Sequence, residues 1–336
     1  MKVLISLLLL LNTCFSAIAA DSLPAKPTKL TIENSPITTP VSAKLWLERL
    51  STALKTLNFN TSFVVVKNNQ AEPYHWFHGI DEDNLELEIF ATLNGPRHDI
   101  LRKGDVVSYI EPEVAPYSIE SERISGPIPA ILSADISTIE NDYEFISVGR
   151  SRVLGRVAQL IRIVSKEQDR FGYWLWLDQE SGLLLKLAII SLKGQLLEQI
   201  QFTHLDITDS LVDTLIQLKQ ADLPPVIEVP IINQDHELTW QVNWLPTGFK
   251  QIKANRHSMS STNQPVEFIL YNDGLVDVSV YVSASDKNKR KVDYVMDGAT
   301  VVLNQVVNGF EISVVGKIPS NTAKAIANSI GIKATP

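Results

Sequence analysis

The stretch Phe171-Gly172-Tyr173-Trp174-Leu175-Trp176-Leu177, continued by Asp178-Gln179-Glu180-Ser181-Gly182 and Leu183-Leu184-Leu185-Lys186, decides the architecture. Period-two alternation puts Phe171, Tyr173, Leu175 and Leu177 on one face of a strand, and Trp174 and Trp176 on the other. Both faces are apolar, so the strand is either covered on both sides or lines a cavity. The run from Asp178 to Gly182 reads as a hairpin connection into a strand over 183–192, and Lys193-Gly194 turns into another over 196–205.

Working outward, the same grammar holds. Strands are expected over 61–67, 71–78, 85–93, 99–103, 106–111, 143–148 and 156–164, separated by turn residues such as Asn68-Asn69 and Asn94-Gly95-Pro96. A stripe of Trp46, Leu50, Leu54 and Leu57 predicts a helix over 42–57 with Ser42 as its cap. Residues 112–129 hold Pro112, Pro116, Pro127 and Pro129 with little periodicity and read as a long loop or lid. About ten consecutive antiparallel strands twist and curl together. The expected fold class is mainly β with α (α+β): a half-open antiparallel barrel over 41–208 whose concave side is covered by the helix and the proline loop.

Residues 209–235 read as a linker with a short helix through Leu211, Leu215 and Leu218, capped by Asp209 or Ser210, ahead of an extended connector at 228–235. A smaller domain over 236–333 follows, with strands at 238–244, 249–256, 266–271, 276–282, 299–306 and 310–315. Asn272-Asp273-Gly274 and Val307-Asn308-Gly309 are its hairpin turns. A final helix over 319–330 has Ser320 as its cap and Gly331 as its stop.

Composition narrows the function. The 336 residues carry 30 Lys+Arg against 38 Asp+Glu, a net charge of −8 that argues against nucleic-acid binding. Met1-Lys2, an apolar run over 3–11 and Ala17-Ile18-Ala19-Ala20 form a signal-peptide pattern over 1–19, cleaved after Ala19 or Ala20. A proline-rich loose segment over 20–40 follows. Cys14 is the one cysteine, so the exported chain relies on its cores rather than disulfides, and Asn12-Thr13 before it fit a lipidation signal poorly. A periplasm is the natural compartment.

Catalytic patterns are scarce. The sequence has no G-x-S-x-G elbow, no Walker loop and no strand-linked G-x-G-x-x-G. Gly149 and Gly155, around Ser151-Arg152, read as a turn between strands. His75 and His78 sit three apart on a strand and face opposite ways, a poor metal pair. Asp81-Glu82-Asp83-Asn84 opens like a calcium loop, but Leu85 stands where an oxygen ligand is needed. No cofactor and no enzymatic activity is expected. What stands out is apolar: Phe63, Val65, Trp76, Phe171, Tyr173 and Trp176 are the candidate wall of a lipid pocket.

An ordered set of motifs resembles the MucB/RseB family, regulators of the envelope-stress sigma factor E. It comprises Gly172–Asp178 with Ser181–Lys186, Gly155-Arg156 with Ala158-Gln159, Leu197-Glu198-Gln199 with Gln201-Phe202-Thr203, and Trp240 with Trp244-Leu245-Pro246. Gly248-Phe249, Tyr271 with Asp273-Gly274-Leu275, Val314-Val315-Gly316 with Ile318-Pro319, and Ala323-Lys324 with Ile326-Ala327 complete it. The match spans most of the chain and both domains. One departure is Trp174, which stands where family members often carry a basic residue.

The resemblance implies a soluble periplasmic protein with a lipoprotein-carrier-like (LolA/LppX-like) half-barrel and a smaller C-terminal domain. It implies binding to the periplasmic part of a membrane-spanning anti-sigma factor, RseA or MucA, and shielding of that partner from a DegS-type site-1 protease. It further implies release by lipopolysaccharide or a related lipid in the half-barrel, and self-association into a homodimer or higher oligomer. A periplasmic lipid or lipoprotein carrier is the alternative, against which the appended second domain argues.

Overall fold

The computed structural model describes residues 41–133, 135–227, 238–258, 265–284, 292–307 and 309–333. The expected signal peptide, the segment over 20–40, the connector at 228–235 and Asn308 of the hairpin turn lie outside these residues.

Helix α1 (Ala43–Thr56) opens at Ser42, whose hydroxyl accepts from the Leu45 N–H at 3.2 Å and satisfies one of the donors every helix start leaves unpaired. Trp46, Leu47, Leu50, Ala53 and Leu54 are buried along one face. Leu57, the expected end of that stripe, is the C-cap and still packs against the core.

Eleven strands form one antiparallel sheet. The first six are β1 (Asn58–Lys67), β2 (Gln70–Ile80), β3 (Glu86–Thr92), β4 (Asp99–Lys103), β5 (Val106–Ile110) and β6 (Tyr117–Glu120). The others are β7 (Tyr143–Val153), β8 (Arg156–Ser165), β9 (Gly172–Asp178), β10 (Leu184–Ile190) and β11 (Leu196–Thr208). Their spatial order is β6-β5-β4-β3-β2-β1-β11-β10-β9-β8-β7. The expected run of consecutive neighbours is corrected at one place. The chain makes two meanders joined in the middle, where β1 pairs with β11 from Asn58↔Thr208 to Lys67↔Glu198. Hairpin turns report neighbours in sequence, whereas this pairing closes across the whole domain. β7 ends the order on one side, and on the other β6 is met by a parallel bridge from Ser118 to Val226. A second correction concerns the proline loop, which contains β6, pinned to β5 by Val106↔Glu120 and to the segment around Pro224 by Ser118, whose hydroxyl donates to Pro224 O at 2.7 Å.

Helix α2 (Asp213–Gln220) lays Leu215 and Leu218 on Leu87, beside Phe77, Ile89 and Leu101, and so covers the outer face of β2–β4. Neither Asp209 nor Ser210 caps it. Val212 occupies the cap without a side-chain bond, and Asp213 in the first turn complements the helix dipole instead.

In the second half, β12 (Trp240–Val242) pairs with β19 (Ile330–Ile332). Strands β13 (Lys250–Ser258), β14 (Pro265–Asn272), β15 (Asp277–Ala284), β16 (Val292–Asp297), β17 (Thr300–Val307) and β18 (Phe310–Gly316) form a six-stranded sheet ordered β13-β14-β15-β18-β17-β16. Helix α3 (Ser320–Asn328) buries Ala323, Ile326 and Ala327. Its expected cap and stop are corrected: Pro319 takes the N-cap position, and Gly331 lies inside β19 opposite Gln241 rather than ending the helix. Strands β16 and β19 were not foreseen, since each is short and lacks a full alternating pattern.

The two sheets meet at a sealed polar node. Arg170 Nε donates to Asp273 Oδ2 at 2.6 Å with both side chains fully out of water, and Tyr143 donates to the same oxygen at 2.7 Å. Asp273 Oδ1 accepts from the Leu275 and Val276 N–H groups at 2.9 and 2.8 Å. The turn residue read from Asn272-Asp273-Gly274 is therefore also an anchor between the two sheets. The guanidinium lies over the rings of Phe249 and Tyr143, at 5.0 and 5.4 Å. Burial, with the Asp273 charge beside it, pushes the Tyr143 phenol well above its ordinary range.

Candidate functional site

A cavity of about 500 Å³ opens between the end of α1, the inner face of β2–β4 and the loop over 122–129. Strand alternation supplies its wall. Trp76 and His78 point inward from β2, Glu86, Glu88 and Phe90 from β3, and Arg102 from β4. Leu54, Ile124, Pro127, Ile128 and Pro129 close the apolar side, while Lys55, Glu122 and Arg123 stand exposed at the rim. The proline-rich segment thus does cover the concave face, together with the helix.

The floor is a buried charge network. Arg102 reaches Glu88 Oε1 at 2.7 Å, Glu86 Oε2 at 2.8 Å and the Gly104 carbonyl at 2.9 Å, which occupies three of its donor groups. Trp76 Nε1 donates to Glu88 Oε2 at 2.9 Å. His78 places Nδ1 2.8 Å from the Leu57 carbonyl and Nε2 3.2 Å from Glu86 Oε1, so both ring nitrogens face acceptors. Burial pushes the Glu86 carboxyl up, but the bonds from His78 and Arg102 outweigh it and hold the group below the usual carboxylate range. The arrangement suits an amphiphile whose apolar part lies along Phe90, Ile124 and Ile128.

The family model for the MucB/RseB N-terminal domain matches residues 42–227, and that for the MucB/RseB C-terminal domain matches residues 234–331. The chain belongs to the MucB/RseB family. The sigma-E factor regulatory protein RseB of Haemophilus influenzae is 31% identical over 290 residues, which cover 86% of this chain and 91% of that protein. The sigma factor AlgU regulatory protein MucB of Pseudomonas aeruginosa is 28% identical over 299 residues, 88% of this chain and 92% of that one. Among solved structures, MucB in complex with MucA(peri) superposes with a TM-score of 0.70 at 28% identity, covering 87% of this chain and 100% of that chain. The Pseudomonas aeruginosa MucA/MucB complex gives 0.72 at 27% identity over 87% and 99%.

In this MucB/RseB member the six pocket candidates do not form one wall. Trp76 lines the cavity. Phe63, Val65, Phe171 and Tyr173 are packed together in the core, with Phe63 wholly buried. An aromatic row, Phe202–Phe63–Tyr74–Phe90, with centroids 5.1 to 5.6 Å apart between neighbours, carries that core across to the cavity. Trp176 faces the opposite side of the sheet, with Trp174.

Sequence reasoning missed Glu86, Glu88 and Arg102. Their signal was present in Leu85-Glu86-Leu87-Glu88-Ile89, a strict alternation that ordinarily places glutamates in water. Here α2 covers the leucine face, so the glutamate face turns inward. His78 pairs with Glu86 rather than with Asp81 or Asp83. Asp81 instead accepts from the Asp83 and Leu85 N–H groups, both at 2.8 Å, and pairs with Lys219 at 2.6 Å, making an ordinary acidic turn. Ser151 and Arg152 belong to β7, with Gly149 at a bulge, so the Gly149–Gly155 stretch is a strand end and only its last part a turn. Among the described residues no group of three metal-ligating side chains occurs, and no helix is long and apolar enough to cross a membrane.

Proposed function

We propose that this protein is a periplasmic negative regulator of a sigma-E-type envelope-stress response. It binds the periplasmic segment of a membrane-spanning anti-sigma factor and shields it from the site-1 protease. One observation carries the reading: the ordered match of both family domains, together with superposition over 87% of the chain on MucB solved with MucA(peri). The protein acts by binding rather than by chemistry and works as a homodimer or higher oligomer.

Release follows from occupation of the cavity. A lipid or lipopolysaccharide acyl chain lies against Trp76, Phe90, Ile124 and Ile128, while Phe63, its ring 5.9 Å from that of Phe90, backs the wall from the core. Lipid and anti-sigma factor favour different states, so each weakens the other by the same factor. The test is binding of the purified protein to the periplasmic segment of its host's anti-sigma factor, with and without lipopolysaccharide. The expected result is tight binding that lipid weakens, with matching loss of protection from the protease. Binding untouched by lipid removes the release step, and absence of binding leaves the lipid-carrier reading in its place.

A further inference from the structure

The outer face of the first sheet carries a second surface that the cavity does not explain. In β9, Tyr173, Leu175 and Leu177 are buried inward, so Trp174 and Trp176 point outward and are half-buried. Their cross-strand partners share that face: Arg162 and Leu160 on β8, Ala188 and Lys186 on β10, then Gln199 and Gln201 on β11. Arg162 lies over the Trp174 ring at 5.3 Å and Lys186 over the Trp176 ring at 4.7 Å. Among the described residues neither cation has a carboxylate partner, and Arg162 Nε is a buried donor with no acceptor. Desolvation alone pulls Lys186 down, as expected of an ammonium short of counter-charge. A chain of net charge −8 thus presents, across β8–β11, two tryptophans and two unpaired cations with no acid between them.

We infer that this face docks on an anionic phospholipid surface. Charge complementarity selects an anionic occupant and disfavours a second copy of the same face, which would set like charges together. The four strands are interior, so their backbone groups are already paired and offer a peptide no edge for strand addition. Headgroups need no register. Indole rings with cations on long apolar stems are also the side chains that settle at a membrane–water boundary. The inference goes beyond the regulatory reading and does not need a lipid in the cavity.

The test is co-sedimentation of the purified protein with vesicles of phosphatidylglycerol and phosphatidylethanolamine, against phosphatidylcholine alone, at low and physiological salt. The expected result is binding to the anionic vesicles only, weakened by salt, and reduced roughly five-fold by each of R162Q and K186Q, the loss expected per basic residue near such a surface. A Trp174→Phe variant, chosen because it keeps the face apolar, should diminish the blue shift of tryptophan emission on binding. A cavity-filling I128W variant should bind vesicles as the parent does, which separates this face from lipid uptake. No anionic binding, or binding unchanged in the R162Q/K186Q double variant with an unaltered circular dichroism spectrum, overturns the inference. Protection of Lys186 from acylation by polyglutamate but not by vesicles also overturns it, and assigns the face to an acidic protein.

Discussion

Arg170–Asp273 and Arg102–Glu88 are both short arginine–carboxylate pairs, at 2.6 and 2.7 Å, and both are nearly free of water contact. They differ in what lies around them. Arg170–Asp273 joins two sheets and is roofed by the rings of Tyr143 and Phe249, with Glu167 a looser second partner of the guanidinium at 3.6 Å. Arg102–Glu88 is formed between adjacent strands in register, shares its guanidinium with the partly exposed Glu86, and floors a cavity of about 500 Å³. A sealed ion pair fixes architecture, because its desolvation is recovered only when every partner is present. One left facing open space keeps its wall polar and leaves its groups within reach of water.

That contrast can be broken most forcefully at the sealed node. Asp273→Asn leaves Arg170 charged and short of its partner and should cost about 3–5 kcal/mol in urea unfolding, with the Arg170→Met/Asp273→Leu pair recovering much of it. A cost below about 1 kcal/mol would mean that the node tolerates water. Gly248, beside the same junction, has φ +87° and would bring an added Cβ to 2.6 Å from Asp142 Cγ. Gly248→Ala should therefore lose roughly 1–3 kcal/mol, mostly from the contact between the sheets.

At the cavity the losses should be smaller, because water can reach the orphaned groups. Arg102→Met is expected to cost roughly 1–3 kcal/mol. Acid titration sharpens this. Glu86 is held below its unfolded range, so its contribution is present above that range and lost as pH falls through the lower folded value. With Arg102 gone that depression shrinks, and the stability-versus-pH curve should flatten on its acid side. Ile128→Trp should change stability by less than about 1 kcal/mol while abolishing lipid-driven release and sparing anti-sigma factor binding. Smallest of all is Lys67→Ala, which removes an exposed 2.9 Å pair with Asp297 across the two sheets and should cost about 0–1 kcal/mol.

Much of this molecule is local and was legible as such. Trp46, Leu50 and Leu54 mark a helix face because 3.6-residue spacing is visible without context, and Ser42 caps it because the capping bond spans three residues. The hairpin after Asp178 and the burial of Tyr173 and Leu175 follow from period-two alternation in the same way. The site was harder. Trp76 was found as an aromatic, but Glu86 and Glu88 look like solvent residues until α2, more than a hundred residues later, covers the opposite face of their strand. Asp273 read correctly as a turn residue, and nothing near it in sequence announces Arg170 or Tyr143.

By itself, then, the sequence determined the element types, the two-part order of the chain and its family, since these rest on periodicity, turn chemistry and ordered motifs. Tertiary structure alone decided that β1 closes on β11, that the glutamate face of β3 turns inward, and that the candidate aromatics divide between core, cavity and outer face. The physical reason is that alternation assigns residues to two faces of a strand but does not say which face will be covered. That choice is made by elements distant in the chain, through the burial of whichever apolar surface they bring.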